Sequence, residues 1–243
     1  MTKKIALIAD VHGNIEALKN VLKDISERQI DNRDIYCLGD LVGYGPRPDE
    51  VIQLIIEKNI HSVLGNYDEA VGFYLPTCGC SIESENDRMK TKNSLSWTVE
   101  NTSDENKEFL RELEEQISLE IEGYQLLLTH GSPISINDYI YENDLEKQEE
   151  IVEVLEEDIL VFGHTHYPYY KKVNNKLFIN PGSVGRPKDG DNRACYCIVE
   201  FGEKIDVEFI RISYDIEKVA KEIEQSELLD VFAQVLRTGR DVK

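Results

Sequence analysis

The sequence predicts an α/β fold whose loops form one site at the ends of the strands. Apolar runs alternate with amphipathic helical stretches through the first part of the chain, which indicates a βαβαβ series. Five short polar clusters each follow an apolar run directly, and together they contain four of the five histidines. Open α/β sheets bind ligands at the carboxyl ends of their strands, so we expect the clusters to meet there.

The early elements follow from their hydrophobic period. Residues 5–9 are continuously apolar and predict a buried strand, whereas residues 14–27 place apolar side chains on one face of a helix. A second strand is predicted at 34–38, a helix begins at Pro48, and a short third strand covers 62–64. This order is typical of parallel strands joined by helices.

The middle of the chain interrupts this alternation. Residues 69–116 are polar and charged, and we expect them to form a helical insertion over the site within a single domain of residues 1–243. The last helix of the insertion is predicted to begin with a capping box of Thr102 and Glu105 and to carry apolar residues as far as Ile117.

Strands dominate the remainder. The predicted elements are a hairpin of 118–121 and 124–129, a helix at 146–157, a strand at 159–162, paired strands at 167–173 and 176–180, paired strands at 194–201 and 205–212, and one helix at 215–236.

The side chains of the polar clusters suit metal binding. The clusters are Asp10-Val11-His12, Gly39-Asp40, Gly65-Asn66-Tyr67-Asp68, Thr129-His130-Gly131 and Gly163-His164-Thr165-His166. Two carboxylates, four imidazoles and one carboxamide favour two borderline divalent ions over calcium or a thiolate-bound zinc. Asp10 and His12 are two residues apart, so in an extended chain both side chains point to the same side. Asp40 can bridge two cations about 3.5–4 Å apart, and such a site attracts phosphate.

In their order and spacing, these clusters resemble the motifs of the calcineurin-like metallophosphoesterase superfamily, D-x-H, G-D, G-N-H-D/E, H and G-H-x-H. The resemblance covers residues 5 to about 200 and is strongest to small bacterial and archaeal members. It implies a sandwich of two mixed β-sheets flanked by helices, and a bridging hydroxide as the nucleophile. It also implies two sets of metal ligands: Asp10, His12, Asp40 and His166 for one ion, and Asp40, Asn66, His130 and His164 for the other. Manganese is the expected metal, with iron, zinc, nickel and cobalt as alternatives.

Four of the cluster residues, Asp40, Asn66, Tyr67 and His130, are the predicted catalytic groups. Tyr67 departs from the family pattern, because most members have a histidine there that protonates the leaving oxygen. A phenol with a pKa near ~10 is a poor proton donor at neutral pH, so Tyr67 is either a weak participant or a packing residue. Asp68 is expected to cap a helix or to orient another group.

Substrate-binding residues are predicted on loops that the resemblance places near the metals. These are Asn14, Arg47 and Arg186, of which the two arginines suit phosphate by geometry and charge. The alternative for an arginine on an exposed loop is a solvated surface residue.

Composition limits the partners. The chain has 47 acidic and 27 basic residues and a net charge of -20, so a duplex nucleic acid would meet repulsion over most of the surface. The apolar run before Asp10 is too short for a signal peptide, and no apolar stretch approaches the length that spans a membrane. We therefore expect a cytoplasmic enzyme; the sequence leaves its oligomeric state open.

The cysteines agree with that compartment, since five thiols do not form a secreted disulfide framework. Cys37, Cys195 and Cys197 lie in predicted strands and are expected to be buried thiols. Cys78 and Cys80 follow Pro76 in a loop, where we expect residues outside the metal site, with a second metal site or a redox pair as the less favoured alternative.

The sequence thus predicts a metal-dependent phosphoesterase acting on phosphodiester or phosphoanhydride bonds of small nucleotide-like substrates, dinucleoside tetraphosphates included. Two alternatives are a phosphomonoesterase of phosphoproteins or metabolites, and a non-catalytic binding scaffold such as the retromer subunit of this superfamily. A scaffold would not need all seven predicted ligands.

Overall fold

Two five-stranded sheets pack face to face in the computed structural model, which describes residues 2–242. The strands are β1 (Lys3–Ile8), β2 (Ile35–Cys37), β3 (His61–Ser62), β4 (Gln116–Ile121), β5 (Tyr124–Thr129), β6 (Ile159–Val161), β7 (Tyr169–Val173), β8 (Lys176–Asn180), β9 (Ala194–Phe201) and β10 (Ile205–Ile212). The helices are α1 (Ile15–Glu27), α2 (Pro48–Lys58), α3 (Asn66–Gly72), α4 (Glu85–Glu100), α5 (Asp104–Glu112), α6 (Leu145–Val154), α7 (Ile216–Glu224) and α8 (Asp230–Thr238), with a 3-10 turn at Asn32–Asp34.

Both sheets are mixed. The first has the order β10-β9-β1-β2-β3, in which β1, β2 and β3 are parallel and β9 is antiparallel to β1 and β10. The second has the order β4-β5-β6-β8-β7, in which β5, β6 and β8 are parallel and both edge strands are antiparallel. The predicted sandwich of two mixed sheets flanked by helices is therefore confirmed.

Strand β1 shows how the two layers share one core. Ile5 and Leu7 point to the second sheet and pack with buried residues such as Leu128, whereas Ala6 and Ile8 point to the opposite face, where α1 and α2 cover the sheet. Because both faces of this strand are buried from Ile5 onward, residues 5–8 are continuously apolar rather than alternating. The parallel strands of both sheets end at the same edge of the sandwich, which places their following loops together.

Two predictions about the helices were wrong. Helix α5 is capped by Ser103, whose hydroxyl accepts a hydrogen bond from the amide of Asn106, while Thr102 donates its hydroxyl to the carbonyl of Thr98. Ile117 lies in strand β4, beyond the end of this helix. Residues 69–116 are mainly helical, as predicted, and contain most of α3 together with α4 and α5.

The predicted single helix at 215–236 is two helices, α7 and α8. Ser226 ends the first one, because its hydroxyl donates to the carbonyl of Ile223 and accepts from the amide of Leu228. The chain can then fold back, and the two helices pack their apolar faces together with Trp97 of α4. Over residues 2–242, no helix combines the length and the apolar character that crossing a bilayer requires.

Asp68 joins the loop after β2 to the start of α3. It is the third residue of α3 and is buried; its carboxylate accepts hydrogen bonds from the amides of Gly65 (3.1 Å), Leu41 (2.9 Å) and Val42 (3.2 Å). It therefore performs both functions expected of it, capping the helix and fixing a neighbouring loop.

Asp68→Ala should lower the free energy of unfolding by at least ~2 kcal/mol, because it leaves three amides in the interior without their acceptor. Urea denaturation of chelator-treated protein measures this, with Asp206→Ala, an exposed carboxylate of β10, as the matched control. Equal denaturation midpoints for the two variants would contradict the anchoring role.

Candidate metal centre

The predicted metal ligands lie together in two sets at the carboxyl ends of the parallel strands. The first set is Asp10, His12 and His166, and the second is Asp40, His130 and His164; within each set the candidate ligand atoms lie within 4.8 Å of one another. All six residues are buried.

The candidate ligand atoms within each set lie close to one another. In the first, His166 Nε2 is 3.2 Å from His12 Nε2 and 3.4 Å from Asp10 Oδ1. In the second, His130 Nε2 is 3.1 Å from His164 Nδ1 and 3.5 Å from Asp40 Oδ2.

Asp40 connects the two sets, and Asn66 extends the second. Asp40 Oδ2 lies 3.7 Å from His12 Nε2 as well as 3.5 Å from His130 Nε2, so the same oxygen is close to an imidazole of each set. The other oxygen, Oδ1, accepts a hydrogen bond from the amide of Tyr67 (2.9 Å). Asn66 Oδ1 is 2.9 Å from His130 Nε2. The carboxylate of Asp40 is thus in position to be shared.

The backbone turns sharply at these residues. Five of them have left-handed backbones, with φ of 53° at Asp10, 48° at His12, 54° at Asp40, 66° at His164 and 64° at His166. Such a conformation costs of order 1–3 kcal/mol at each non-glycine residue and is concentrated at functional sites. The expectation that Asp10 and His12 lie on one side of an extended segment was wrong, because two left-handed turns bring them together instead.

Backbone hydrogen bonds hold the loops in register. Within the first sheet the amide of Asp10 donates to the carbonyl of Gly39 (3.0 Å), and that of His12 donates to the carbonyl of Asp40 (2.9 Å). The amide of His164 donates to Asp10 Oδ2 (3.1 Å), which ties the second sheet to the first.

Two glycines allow the close approach of these loops. A Cβ at Gly65 would lie 2.1 Å from the amide nitrogen of Asp40, and a Cβ at Gly185 would lie 1.8 Å from the carbonyl oxygen of Val11. Neither space can hold another residue. Gly185, in the glycine-rich turn at 182–185, thus allows the backbone of this turn to contact that of Val11 directly.

Three histidines are oriented by backbone carbonyls. Because a carbonyl only accepts, the Nδ1 atom in each pair must carry the proton, which leaves the Nε2 lone pair facing the site. The Nδ1-to-oxygen pairs are His12 with Val42 (3.0 Å), His130 with Leu38 (2.7 Å) and His166 with Arg186 (2.6 Å). This is the arrangement that metal-bound imidazoles require.

Burial sets the charge of these groups. It lowers the pKa of His130 to about 4, and it lowers the pKa values of His12, His164 and His166 well below the ordinary range, so the imidazoles are neutral. Burial raises the pKa of Asp40 to about 7. Burial and the charge of Asp40 raise the pKa of Asp10.

Asp10 Oδ1, a candidate ligand atom of the first set, is buried and has no hydrogen-bond partner among the described residues. Neutral imidazoles, buried carboxylates and this unpartnered oxygen together fit divalent cations, which would supply the missing positive charge.

Asn66 is held by the loop that contains the two neighbouring cysteines. Its Nδ2 donates to the carbonyl of Cys78 (2.8 Å) and to Cys80 Sγ (3.2 Å), which turns Oδ1 toward His130. Cys78 and Cys80 are joined by a disulfide, whereas Cys37, Cys195 and Cys197 are buried free thiols as expected. Neither cysteine belongs to the two ligand sets, as expected, but their loop positions a predicted ligand, which the sequence did not indicate.

Two of the predicted substrate-binding residues, Asn14 and Arg47, make their polar contacts within the fold. Asn14 caps α1 with Oδ1, and its Nδ2 donates to Gly185 and Tyr214, so its polar atoms are already used within the fold. The guanidinium of Arg47 is paired with Glu50 and with Glu222 of α7. Both residues stay predictions as substrate-binding groups: in this structure Asn14 caps α1 and Arg47 is ion-paired at the surface. Asn14 and Arg186 also line a small cavity with His12, and Arg186 lines the larger cavity beside the site.

Tyr67 is a packing residue in this structure. Its side chain is 1 % exposed, its ring is 4.7 Å from that of Tyr44 and 5.8 Å from that of His12, and its hydroxyl has no hydrogen-bond partner among the described residues. Burial raises the pKa of Tyr67 well above the ordinary value, which removes it as a proton donor. Of the two readings of this residue, the geometry supports packing.

Sequence reasoning missed Lys188 and Tyr139. Lys188 lines the same cavity as Arg186, and its pKa is lowered to about 8 by burial and by the charge of Arg186. The Tyr139 ring lies 4.0 Å from that of His164. The only signal for Lys188 was its place two residues after Arg186 in the same turn.

The chain is similar to known proteins over almost its whole length. The calcineurin-like phosphoesterase superfamily domain matches residues 4–204. An uncharacterised protein of Methanocaldococcus jannaschii is 34% identical, covering 97% of this chain and 98% of its own length. The phosphodiesterase YfcE of Escherichia coli strain K12 is 24% identical, over 81% of this chain and 87% of its own.

Solved structures agree. A metallophosphoesterase from Sphaerobacter thermophilus has a TM-score of 0.80 and 30% identity, with 98% of this chain and 100% of that chain covered. A hypothetical protein from Pyrococcus horikoshii has a TM-score of 0.85 and 25% identity, with 98% and 99% covered. The match to the family domain and the arrangement of the two buried ligand sets lead to one conclusion: the chain belongs to the calcineurin-like phosphoesterase superfamily and is a metal-dependent phosphoesterase.

Proposed function

We propose that this hydrolase uses two divalent ions, manganese first among them, to cleave phosphodiester or phosphoanhydride bonds of small nucleotide-like substrates. The observation that carries the proposal is the position of Asp40 between two sets of neutral imidazoles, 3.7 Å from His12 and 3.5 Å from His130. Relatives named as phosphodiesterases, one from Escherichia coli and one from Methanocaldococcus jannaschii, support the diester specificity.

The proposed ligands are the seven residues already described. Asp10, His12 and His166 would hold one ion; Asn66, His130 and His164 would hold the other; Asp40 would be shared. Two such ions, when bound, activate a water molecule for attack and neutralise the charge that develops on the phosphoryl oxygens.

The chain contributes orientation and charge. The carbonyls of Val42, Leu38 and Arg186 fix the imidazoles, and burial keeps those imidazoles neutral and able to ligate. The guanidinium of Arg186 lies 4.3 Å from the Tyr44 ring at the edge of the site, where it is proposed to bind the phosphorylated substrate beside the reacting phosphate.

Turnover of an aryl phosphodiester by the manganese-loaded protein tests the function. Asp40→Ala should reduce it to background, because the two cations lose the anion that they share, while the fold persists. Asp206→Ala is the matched control for loss of a carboxylate. Retention of more than about a tenth of the activity would contradict the role of Asp40, since a tenfold loss already corresponds to only ~1.4 kcal/mol.

Manganese affinity should increase as the pH rises toward about 7, the pKa of Asp40, because that carboxyl must lose its proton before it ligates. Asp10, whose pKa is also raised, adds to the same dependence; His130, with a pKa of about 4, adds nothing above pH 5. Calorimetric titrations at pH 6 in two buffers of different ionisation enthalpy should show net proton release. Constant affinity from pH 5.5 to 7.5 would show that neither carboxyl is protonated in the metal-free site.

Tyr67→Phe should leave the leaving-group dependence of the enzyme unchanged, because a buried hydroxyl with no partner donates no proton. The wild type should already hydrolyse substrates with good leaving groups preferentially, since general acid help is normally worth ~10²–10⁴ in rate. The experiment plots log kcat against leaving-group pKa for both proteins. A steeper plot for Tyr67→Phe would restore Tyr67 to the catalytic groups. The same variant should keep or raise the melting temperature, because it removes an unsatisfied polar group.

A further inference from the structure

A cavity of about 460 Å³ adjoins the proposed metal centre. Three of its lining side chains contact predicted ligands: the Tyr44 ring is 5.0 Å from that of His12, the Tyr139 ring is 4.0 Å from that of His164, and Cys80 Sγ accepts a hydrogen bond from Asn66. The cavity is therefore an approach to the site from solvent, and whatever binds there lies beside the reacting phosphate.

Arg186 presents an incompletely used guanidinium to this cavity. The residue is only 9 % exposed, and its Nη2 donates to Asp241 Oδ1 (2.6 Å). Its planar face lies against the Tyr44 ring, and its Nε is buried with no hydrogen-bond partner among the described residues. Because Nε is closed off from solvent, an anion in the cavity would meet the Nη2 end of the guanidinium, where the carboxylate of Asp241 now lies.

Lys188 lies beside Arg186 and shares its single counter-ion. Its Nζ is 3.8 Å from Asp241 Oδ2, so one carboxylate faces two cations. Although burial alone would raise the pKa of Asp241, the charges of Arg186 and Lys188 keep it below its ordinary value. Asp87 and Lys90, which also line the cavity, are paired with each other at 3.6 Å, and Glu83 lies exposed at the rim.

Asp241 belongs to the segment that follows α8 and crosses the cavity. Lys90 holds this segment through the carbonyl of Val242 (2.7 Å), and the Asp241 side chain remains 56% exposed. An ion pair this exposed contributes little to stability. The carboxylate can therefore be replaced by a stronger anion at small cost to the fold.

We propose that Arg186 and Lys188 form an anion subsite that binds a second phosphoryl group of the substrate, next to the one being hydrolysed, and that Asp241 occupies this subsite until substrate displaces it. The inference rests on the proposed function, since it takes the reacting phosphate to bind at the two ligand sets. It assigns the substrate class: molecules with adjacent phosphates, such as nucleoside polyphosphates, are preferred over simple diesters.

The chemistry of the subsite favours phosphate over the resident carboxylate. A phosphoryl group offers three acceptor oxygens and more negative charge than a carboxylate, so it can contact Arg186 Nη2 and Lys188 Nζ together, the two cations that Asp241 now faces. The exposed ring of Tyr141, which also lines the cavity, offers a face on which a base or aryl group can stack.

Binding of inorganic pyrophosphate to the chelator-treated full chain tests the subsite without hydrolysis. Without metal ions the carboxylates of Asp10 and Asp40 oppose an anion at the ligand sets, so calorimetry reports the subsite. Lys188→Gln should weaken binding at least tenfold, and Asp241→Asn should strengthen it severalfold because the competing charge is lost. Lys172→Gln, which removes a lysine charge from the exposed face of β7, is the matched control and should bind as the wild type does.

Kinetics of the manganese-loaded protein provide the second readout, the ratio of kcat/KM for a nucleoside polyphosphate to kcat/KM for an aryl diester. Lys188→Gln should lower this ratio at least tenfold and Asp241→Asn should raise it. An unchanged ratio and unchanged pyrophosphate affinity in Lys188→Gln, with a wild-type melting temperature, would overturn the subsite. If neither substrate is hydrolysed with any divalent ion, the proposed function fails, while the pyrophosphate titration still decides the subsite.

Discussion

The structure depends on the burial of carboxylates and imidazoles at one edge of a two-sheet sandwich. Asp10, Asp40 and Asp68 all lie in the interior, and burial raises the pKa of each. Charged carboxylates this close cannot all be accommodated in a medium of low polarity without a compensating cation. The neutral histidines cannot supply that charge, because burial keeps them unprotonated. The pair of divalent ions proposed here would resolve the imbalance, and the two ligand sets are arranged in a way that could receive them.

Bringing the predicted ligands together requires strained backbone conformations, and contacts from the two sheets hold them in place. Five predicted ligands adopt left-handed conformations at a cost of order 1–3 kcal/mol each, and such strain persists only where the surrounding structure fixes it. Here the fixing contacts are identifiable. The loops after β1 and β2 are hydrogen-bonded along their backbones, Gly65 and Gly185 permit contacts that any side chain would prevent, and Asp68 anchors the amides of Leu41 and Val42. The apolar core between the sheets thus stabilises a geometry that the loops alone would not adopt.

Much of this could be predicted from sequence, because ligands at strand ends are marked by local signals. An apolar run followed by aspartate or histidine identifies both the strand and its functional end, and most strand limits agree to within one or two residues. Ion pairs between residues that are far apart in the sequence are not marked by any local signal. Arg47 is paired with Glu222, which is 175 residues away, and Lys188 is paired with Asp241; neither contact was predicted, and Lys188 was not among the predicted site residues. The break between α7 and α8 also depended on the hydroxyl of Ser226, which hydrogen-bonds to the backbone at the end of α7. The spacing of apolar residues, from which the single helix was predicted, carries no information about such a hydrogen bond.

Charge also affects which substrates can reach the proposed site. The net charge of -20 repels phosphate at long range, but at physiological ionic strength that field is screened within ~8 Å. Three cations, Lys90, Arg186 and Lys188, and three carboxylates, Glu83, Asp87 and Asp241, line the cavity beside the site. Lys90 is paired with Asp87, which leaves Arg186 and Lys188 facing the one carboxylate of Asp241. Coulomb interactions in this partly desolvated space are stronger than in water. Under the proposed function, a small anion that enters the cavity would be attracted to these two cations, whereas a long polyanion such as duplex nucleic acid would still meet the acidic surface outside.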